Sequence, residues 1–324
     1  MTTLLLPQEP APVTRRDAAL TARFLLPAAE VLEELFLDLR AETDRELGPG
    51  MALRYGKPYP LGCCREITQD VLERLGVALA KPDYSGARAL RAFLAAGGAG
   101  RCVWGVLRSR YFQTALQFGG LYVDVANDTV TVTKPKVEIL PLEEAGLEAV
   151  RGAQHFAEIA NTYWGMRIFA NHALPSLAPL LPMLGVAPGQ APVLHSATKY
   201  MTELFRRDEF SLSEAWLAEG PVPPAEMVEA LRPRCPEDLL VANSHTGARA
   251  AAGACQSART AGHATSTEWR DARIRDFVRI HPVTAETSPA RPASSALNIV
   301  WGADRGPRRG WRQPEAPAKR SLRA

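Results

Sequence analysis

The sequence predicts an α+β fold: a small antiparallel sheet at about residues 101–140, helices on both sides of it in sequence, and a C-terminal tail expected to be disordered. Three observations carry that expectation. Apolar residues recur at helical spacing up to about residue 96, short alternating runs replace them from Arg101, and core-forming side chains become scarce beyond Thr246. Only nine of the 79 residues from Thr246 to Ala324 are Leu, Ile, Val or Phe, below the roughly one in five at which chains bury enough to fold. The expected organisation is therefore a flexible leader over 1–14, a globular domain over 15–245 and a basic, low-hydrophobicity tail over 246–324.

Along the chain, Val31, Leu32, Leu35, Phe36 and Leu39 predict an amphipathic helix over 27–47, with Pro27 at its start and Gly48-Pro49-Gly50 as its stop. A second helix is expected from about Cys63 to Leu79 on Ile67, Val71 and Leu75, and a third over 85–96, ended by Gly97-Gly98. Strands are then expected over 101–107, 111–118, 121–126, 130–133 and 137–140, with Gly119-Gly120 as a two-residue hairpin turn. That register gathers Leu116, Phe118, Leu121, Val123 and Val125 on one apolar face, and puts Gln113, Ala115, Gln117, Tyr122 and Asp124 on the other. Asn127-Asp128-Thr129 reads as a turn. Helical spacing returns over 147–172, and shorter helices are expected over 196–207, 212–219 and 224–231.

Charge and composition exclude several function classes. The chain carries a net charge of +3, and the tail with fourteen Lys or Arg against six Asp or Glu accounts for all of it. Nucleic-acid binding through that tail is disfavoured, because Trp269, Trp301 and Trp311 are scattered and no basic-aromatic unit repeats. Five cysteines without a C-x-x-C pair indicate neither a disulfide framework nor a zinc ribbon, so reduced thiols and a cytoplasmic location are expected. The start places its Arg pair after its leucines, the reverse of a signal peptide, and five prolines interrupt the longest uncharged run, so no membrane span is expected. No G-x-G-x-x-G follows a strand and there is no P-loop, which points to no nucleotide cofactor; no cofactor of any kind is expected. His155, Glu158 and His172 read as a solvated helix face rather than a metal site.

One stretch could carry chemistry. Tyr59-Pro60-Leu61-Gly62-Cys63-Cys64-Arg65-Glu66-Ile67 puts two thiols where a loop enters a helix. Unpaired N–H groups and the helix dipole there lower a thiol pKa and can hold an oxyanion, which makes Cys64 or Cys63 a candidate nucleophile. The plainer alternative is packing, since Cys64 lies three before Ile67 and seven before Val71 on the apolar face. On the hairpin, Gln113 and Asp124 share the polar face and could orient a group packed over it.

A glycine and cysteine at a helix start, followed some fifty residues later by a hairpin with an aromatic and an Asp on its second strand, resembles the transglutaminase-like branch of the papain-type cysteine enzymes. The likeness spans about residues 55–130. It implies Cys64 or Cys63 as nucleophile, Asp124 as orienter, and amide hydrolysis or acyl transfer as the reaction class. The sequence departs from the family at the histidine: Tyr111-Phe112-Gln113 stands where it is expected, and the first histidine is His155. Gln113 can position a group but cannot shuttle protons, so the resemblance extends to a catalytically inactive domain. The alternative reading is a non-catalytic interaction module with a protein partner on the hairpin face.

Overall fold

The computed structural model describes residues 5–51, 57–195, 198–241, 244–280 and 300–301. Helices α1 (Arg15–Leu20), α2 (Ala29–Gly50), α3 (Cys64–Ala80) and α4 (Arg88–Ala95) precede strands β1 (Gly100–Leu107), β2 (Tyr111–Phe118), β3 (Leu121–Asp124) and β4 (Glu138–Pro141). After the short α5 (Leu142–Ala145), β5 (Leu147–Glu148) closes an antiparallel sheet of order β4-β3-β2-β1-β5, and the two-residue strand Val300–Trp301 also pairs with β1. The chain continues through α6 (Ala153–Trp164) into a second antiparallel sheet of β6 (Arg167–Ala170), β7 (Met183–Val186) and β8 (Val193–His195). Helices α7 (Lys199–Arg207), α8 (Ser211–Glu219), α9 (Ala225–Leu231), α10 (Ser244–Thr260) and α11 (Thr267–Ile280) follow. The α+β class expected from the pattern is the class observed.

The hairpin has the expected register, with Leu116 opposite Val123 and Phe118 opposite Leu121. Gly119 turns at φ +55°, and a Cβ there would sit 2.7 Å from Thr21 Oγ1, so the turn needs glycine on both counts. Leu116, Phe118, Leu121, Val123 and Val125 pack on Leu32, Phe36 and Leu39 of α2, Ile67 and Val71 of α3 and Phe93 of α4, forming the first core. A second core joins Phe112, Phe156 of α6, Leu184 of β7, Phe205 of α7 and Trp216 of α8.

Four expectations need correction. Residues 130–133 form a turn instead of a strand. The helix expected over 147–172 is only α6: Gly165 adopts the left-handed conformation that ends it, and the chain turns back as β6, leaving His172 outside the helix. The leader, from Leu5 to Thr14, is held to the body. Leu6 is buried, Gln8 O accepts from Trp104 N at 2.8 Å, and the Gln117 amide brackets Ala11, accepting from its N–H and donating to its carbonyl, each at 2.9 Å.

The fourth correction concerns the segment beyond Thr246. Up to Ile280 it folds as α10 and α11, and Ala251, Cys255, Ala258 and Ile280 are buried in the second core. Small side chains allow α10 to approach α8 closely, so apolar area is buried without the large residues that composition counts. Arg259 also pairs with Glu214 of α8 at 2.6 Å. Residues 281–299 and 302–324, the remainder of the expected tail, lie outside the described residues. Among the described residues no helix is long and apolar enough to cross a membrane.

Candidate functional site

Strand β3 is shorter than its partner: it pairs with Leu116 to Phe118 of β2 and ends at Asp124, which leaves the β2 edge at Thr114 without a strand neighbour. The first turns of α3 take that edge. Thr68 Oγ1 donates to Thr114 O at 3.0 Å, and the Cys64 thiol lies against the backbone and hydroxyl of Thr114. This arrangement satisfies the open edge of the sheet by helix side chains, and it also encloses the thiol.

Enclosure decides the chemistry of Cys64. The residue is half-buried, and burial pushes its thiol pKa up to about 12 against the hydrogen-bonding pull of Thr114, with the charges of Glu66 and Asp124 adding to the rise. This direction is the opposite of the lowered thiol pKa expected at this helix start. Desolvation of the thiolate is the largest cause of the rise, and Glu66 in the first turn adds to it. Cys63 is the N-cap residue of α3, 1% exposed, packed in the first core with its Sγ 3.7 Å from Leu61 O.

Asp124 is fully buried and fully bonded. Its Oδ2 accepts from Gln113 Nε2 at 2.7 Å and from the Tyr122 hydroxyl at 2.9 Å, and its Oδ1 accepts from Ala126 N at 2.8 Å. Burial nevertheless raises its pKa to about 6, more than those bonds lower it. Gln113 Nε2 donates a second time, to Ala126 O at 3.2 Å, and its buried Oε1 has no partner among the described residues. By strand alternation Gln113 and Asp124 lie on the face turned away from the α3 core, and Asp124 reaches the thiol only electrostatically. No hydrogen bond joins the Cys64 thiol to Gln113 or Asp124 among the described residues. The structure thus brings Gln113 and Asp124 into direct contact and keeps Cys64 beside them, unlinked.

The polar face of the hairpin, where the alternative reading puts a protein partner, is covered within the chain. Gln113, Ala115, Gln117, Tyr122 and Asp124 are each 3% exposed or less. Leu140, Leu142 and Tyr163 pack over this face and the leader covers its Gln117 end. As for metals, His172 Nε2 makes a 2.8 Å hydrogen bond with Leu217 O, and among the described residues no three His, Cys, Asp or Glu side chains are grouped to hold an ion.

No family model, no curated protein and no solved structure matches the chain.

One charged network escaped the sequence reading. Arg40, wholly buried in α2, donates to both carboxylate oxygens of Asp128 (2.8 and 3.1 Å), to Val125 O (2.7 Å) and to Asp44 (2.6 Å). Asp44 also accepts from the Tyr59 hydroxyl and from Lys136 Nζ, each at 2.5 Å. The turn at Asn127–Thr129 is therefore more than a connection. It is clamped to α2 through Asp128, and Thr129 O accepts from Gly62 N at 2.9 Å, so the same turn sets the loop that leads into Cys63. The available signal was Arg40 itself, four residues after Phe36 and eight after Leu32 on an apolar stripe where an isolated charge is not tolerated without partners.

Proposed function

We propose that this protein is a thiol domain of papain type whose catalytic position is silent, and that it acts by binding rather than by acyl transfer. Gln113 carries the reading. It stands where the resemblance to transglutaminase-like enzymes places the histidine, Asp124 holds it at 2.7 Å, and an amide cannot take a proton from a thiol or return one to a leaving amine. The thiol itself argues the same way. With its pKa pushed up to about 12, the thiol keeps its proton at pH 7. Amide hydrolysis or acyl transfer by Cys64 or Cys63, oriented by Asp124, needs a proton acceptor that Gln113 does not supply.

The test is turnover together with reactivity. Peptide anilides and glutamine-containing peptides are offered to the wild type and to Cys63→Ala and Cys64→Ala; equal background rates are expected from all three. Iodoacetamide is expected to modify Cys64 slowly in the wild type, because burial raises its thiol pKa and leaves little thiolate. Wild-type turnover abolished by either alanine substitution overturns the reading.

A further inference from the structure

A cleft of about 870 Å³ lies open between α6, β6 and α8, with Arg167 and Trp216 among its lining residues. The outer edge of β1 is, by contrast, filled by the chain's own leader. β5 takes that edge at Val106 and Leu107, and Val300–Trp301 takes it at Gly100 and Arg101. Between them, Trp104 N donates to Gln8 O at 2.8 Å. Three leader residues on, the Gln117 amide bonds to both Ala11 N and Ala11 O, each at 2.9 Å, as a neighbouring strand would. All three bonds fall on leader backbone, so they hold a peptide without regard to its side chains.

Side-chain selection comes at two other positions. Leu6 is buried and anchored in the second core. Glu9 Oε2 accepts from Arg207 Nη1 at 3.2 Å and from Leu6 N at 2.7 Å. Pro7, Pro10 and Pro12 restrict the backbone before it docks, which lowers the entropy lost on binding. The fit has one flaw. Glu9 N donates to Leu6 O at 3.0 Å across a turn in which Gln8 has φ +65°, the left-handed conformation that favours glycine at that position. A free peptide with glycine there escapes that strain, whereas the leader offsets it through the high effective concentration that attachment to the chain gives. Backbone bonds for affinity, an apolar anchor and a cation for selectivity, and a strained tethered occupant are what a displaceable peptide site requires.

We propose that the β1 edge at Trp104, with Gln117, Arg207 and the seat of Leu6, is a docking site for an extended proline-rich peptide of a partner protein, and that the leader is its tethered competitor. The peptide carries Leu, an acidic residue three positions later and a small residue two beyond that, the spacing of Leu6, Glu9 and Ala11. The site goes beyond the reading of Cys64 and does not depend on it, since none of these bonds involves Cys64 or Asp124.

The probe is a synthetic peptide, Leu-Pro-Gly-Glu-Pro-Ala-Pro-Val, in which glycine replaces the counterpart of Gln8. It is titrated into the ¹⁵N-labelled full-length chain and into Ala11→Pro, which removes the N–H that donates to Gln117 and loosens the leader without altering the surface beneath it. Saturable shifts of the Trp104 backbone amide and the Gln117 side-chain amide are expected in both, with binding about tenfold tighter to Ala11→Pro, the worth of one hydrogen bond. Arg207→Gln should weaken the peptide about threefold and leave unchanged the binding of a peptide with glutamine in place of its glutamate. Should Ala11→Pro fail to fold, hydrogen exchange in the wild type reads the same competition: the peptide should speed exchange at Ala11 and leave Trp104 protected. Unmoved Trp104 and Gln117 signals at millimolar peptide overturn the proposal. So do equal affinities for wild type and Ala11→Pro, or for the peptide and its scrambled sequence.

Discussion

The surroundings of Cys64 and the cleft at α6 both begin with a helix start, and they differ in what covers it. At α3 the thiol is enclosed against Thr114, its pKa raised to about 12, and the neighbouring Asp124 is saturated by Gln113, Tyr122 and Ala126. At α6 no side chain caps the first amides, Arg167 has no carboxylate partner among the described residues, and the space in front of them is open. A helix dipole activates a group only where the charged form is not penalised more by burial, so the same backbone feature is enclosed in one place and open to solvent in the other.

The sharpest way to break this comparison is to disturb the support of the cleft alone. Ala251 of α10 is fully buried in the core that carries α8, so Ala251→Asp should lower unfolding free energy by about 4 kcal/mol or more, measured by urea denaturation. A loss under about 1 kcal/mol would place α10 outside the core. The corresponding change near Cys64 is Asp128→Ala, which leaves the wholly buried Arg40 without its bidentate partner. It should cost about 3 to 5 kcal/mol and speed hydrogen exchange at Gly62.

A smaller, pH-dependent effect is expected at Asp124. Its folded pKa of about 6 lies above the value near 4 of an unfolded aspartate, so the folded state holds the proton more tightly between those two values. Stability contributed by that proton is full below about pH 4 and is lost as pH rises through 6. The stability of the wild type relative to Asp124→Asn should thus fall by about 2 kcal/mol from pH 4 to pH 7, and a difference flat with pH would show that Asp124 is not desolvated. Least costly to the protein is brief native alkylation. Half-buried Cys235 should be modified before Cys64, Cys63, Cys102 and Cys255, which reverses the order that a helix-start thiol suggests from sequence. Early modification of Cys64 would show that its thiol is open and would remove the contrast with the cleft.

Part of the site was readable before any coordinates. The pairing of Gln113 with Asp124 follows from the hairpin register, which Gly119-Gly120 and the alternation of Leu116, Phe118, Leu121 and Val123 specify locally. Arg40 on the apolar stripe of α2 announces a buried charge, but its partner Asp128 is 88 positions away and nothing local selects it. The cleft left less trace. Arg167 and Trp216 come from two elements, β6 and α8, and β6 was hidden inside an apparent helical repeat until Gly165 ended α6.

What the sequence determined by itself are the features set by neighbours within a few residues: helices α2, α3 and α4, the turn at Gly119-Gly120, and the strands of the first sheet apart from its shortest members. Only the tertiary structure decided which polar groups lost their water. The hairpin face is covered by Leu140, Leu142 and Tyr163, the Cys64 thiol is closed in by Thr114, and the small side chains of α10 become core because α8 lies within reach. The reason is physical. Backbone propensity and periodicity act over one or two turns of chain, whereas desolvation depends on every atom that comes to lie over a group, most of them from distant positions in the sequence.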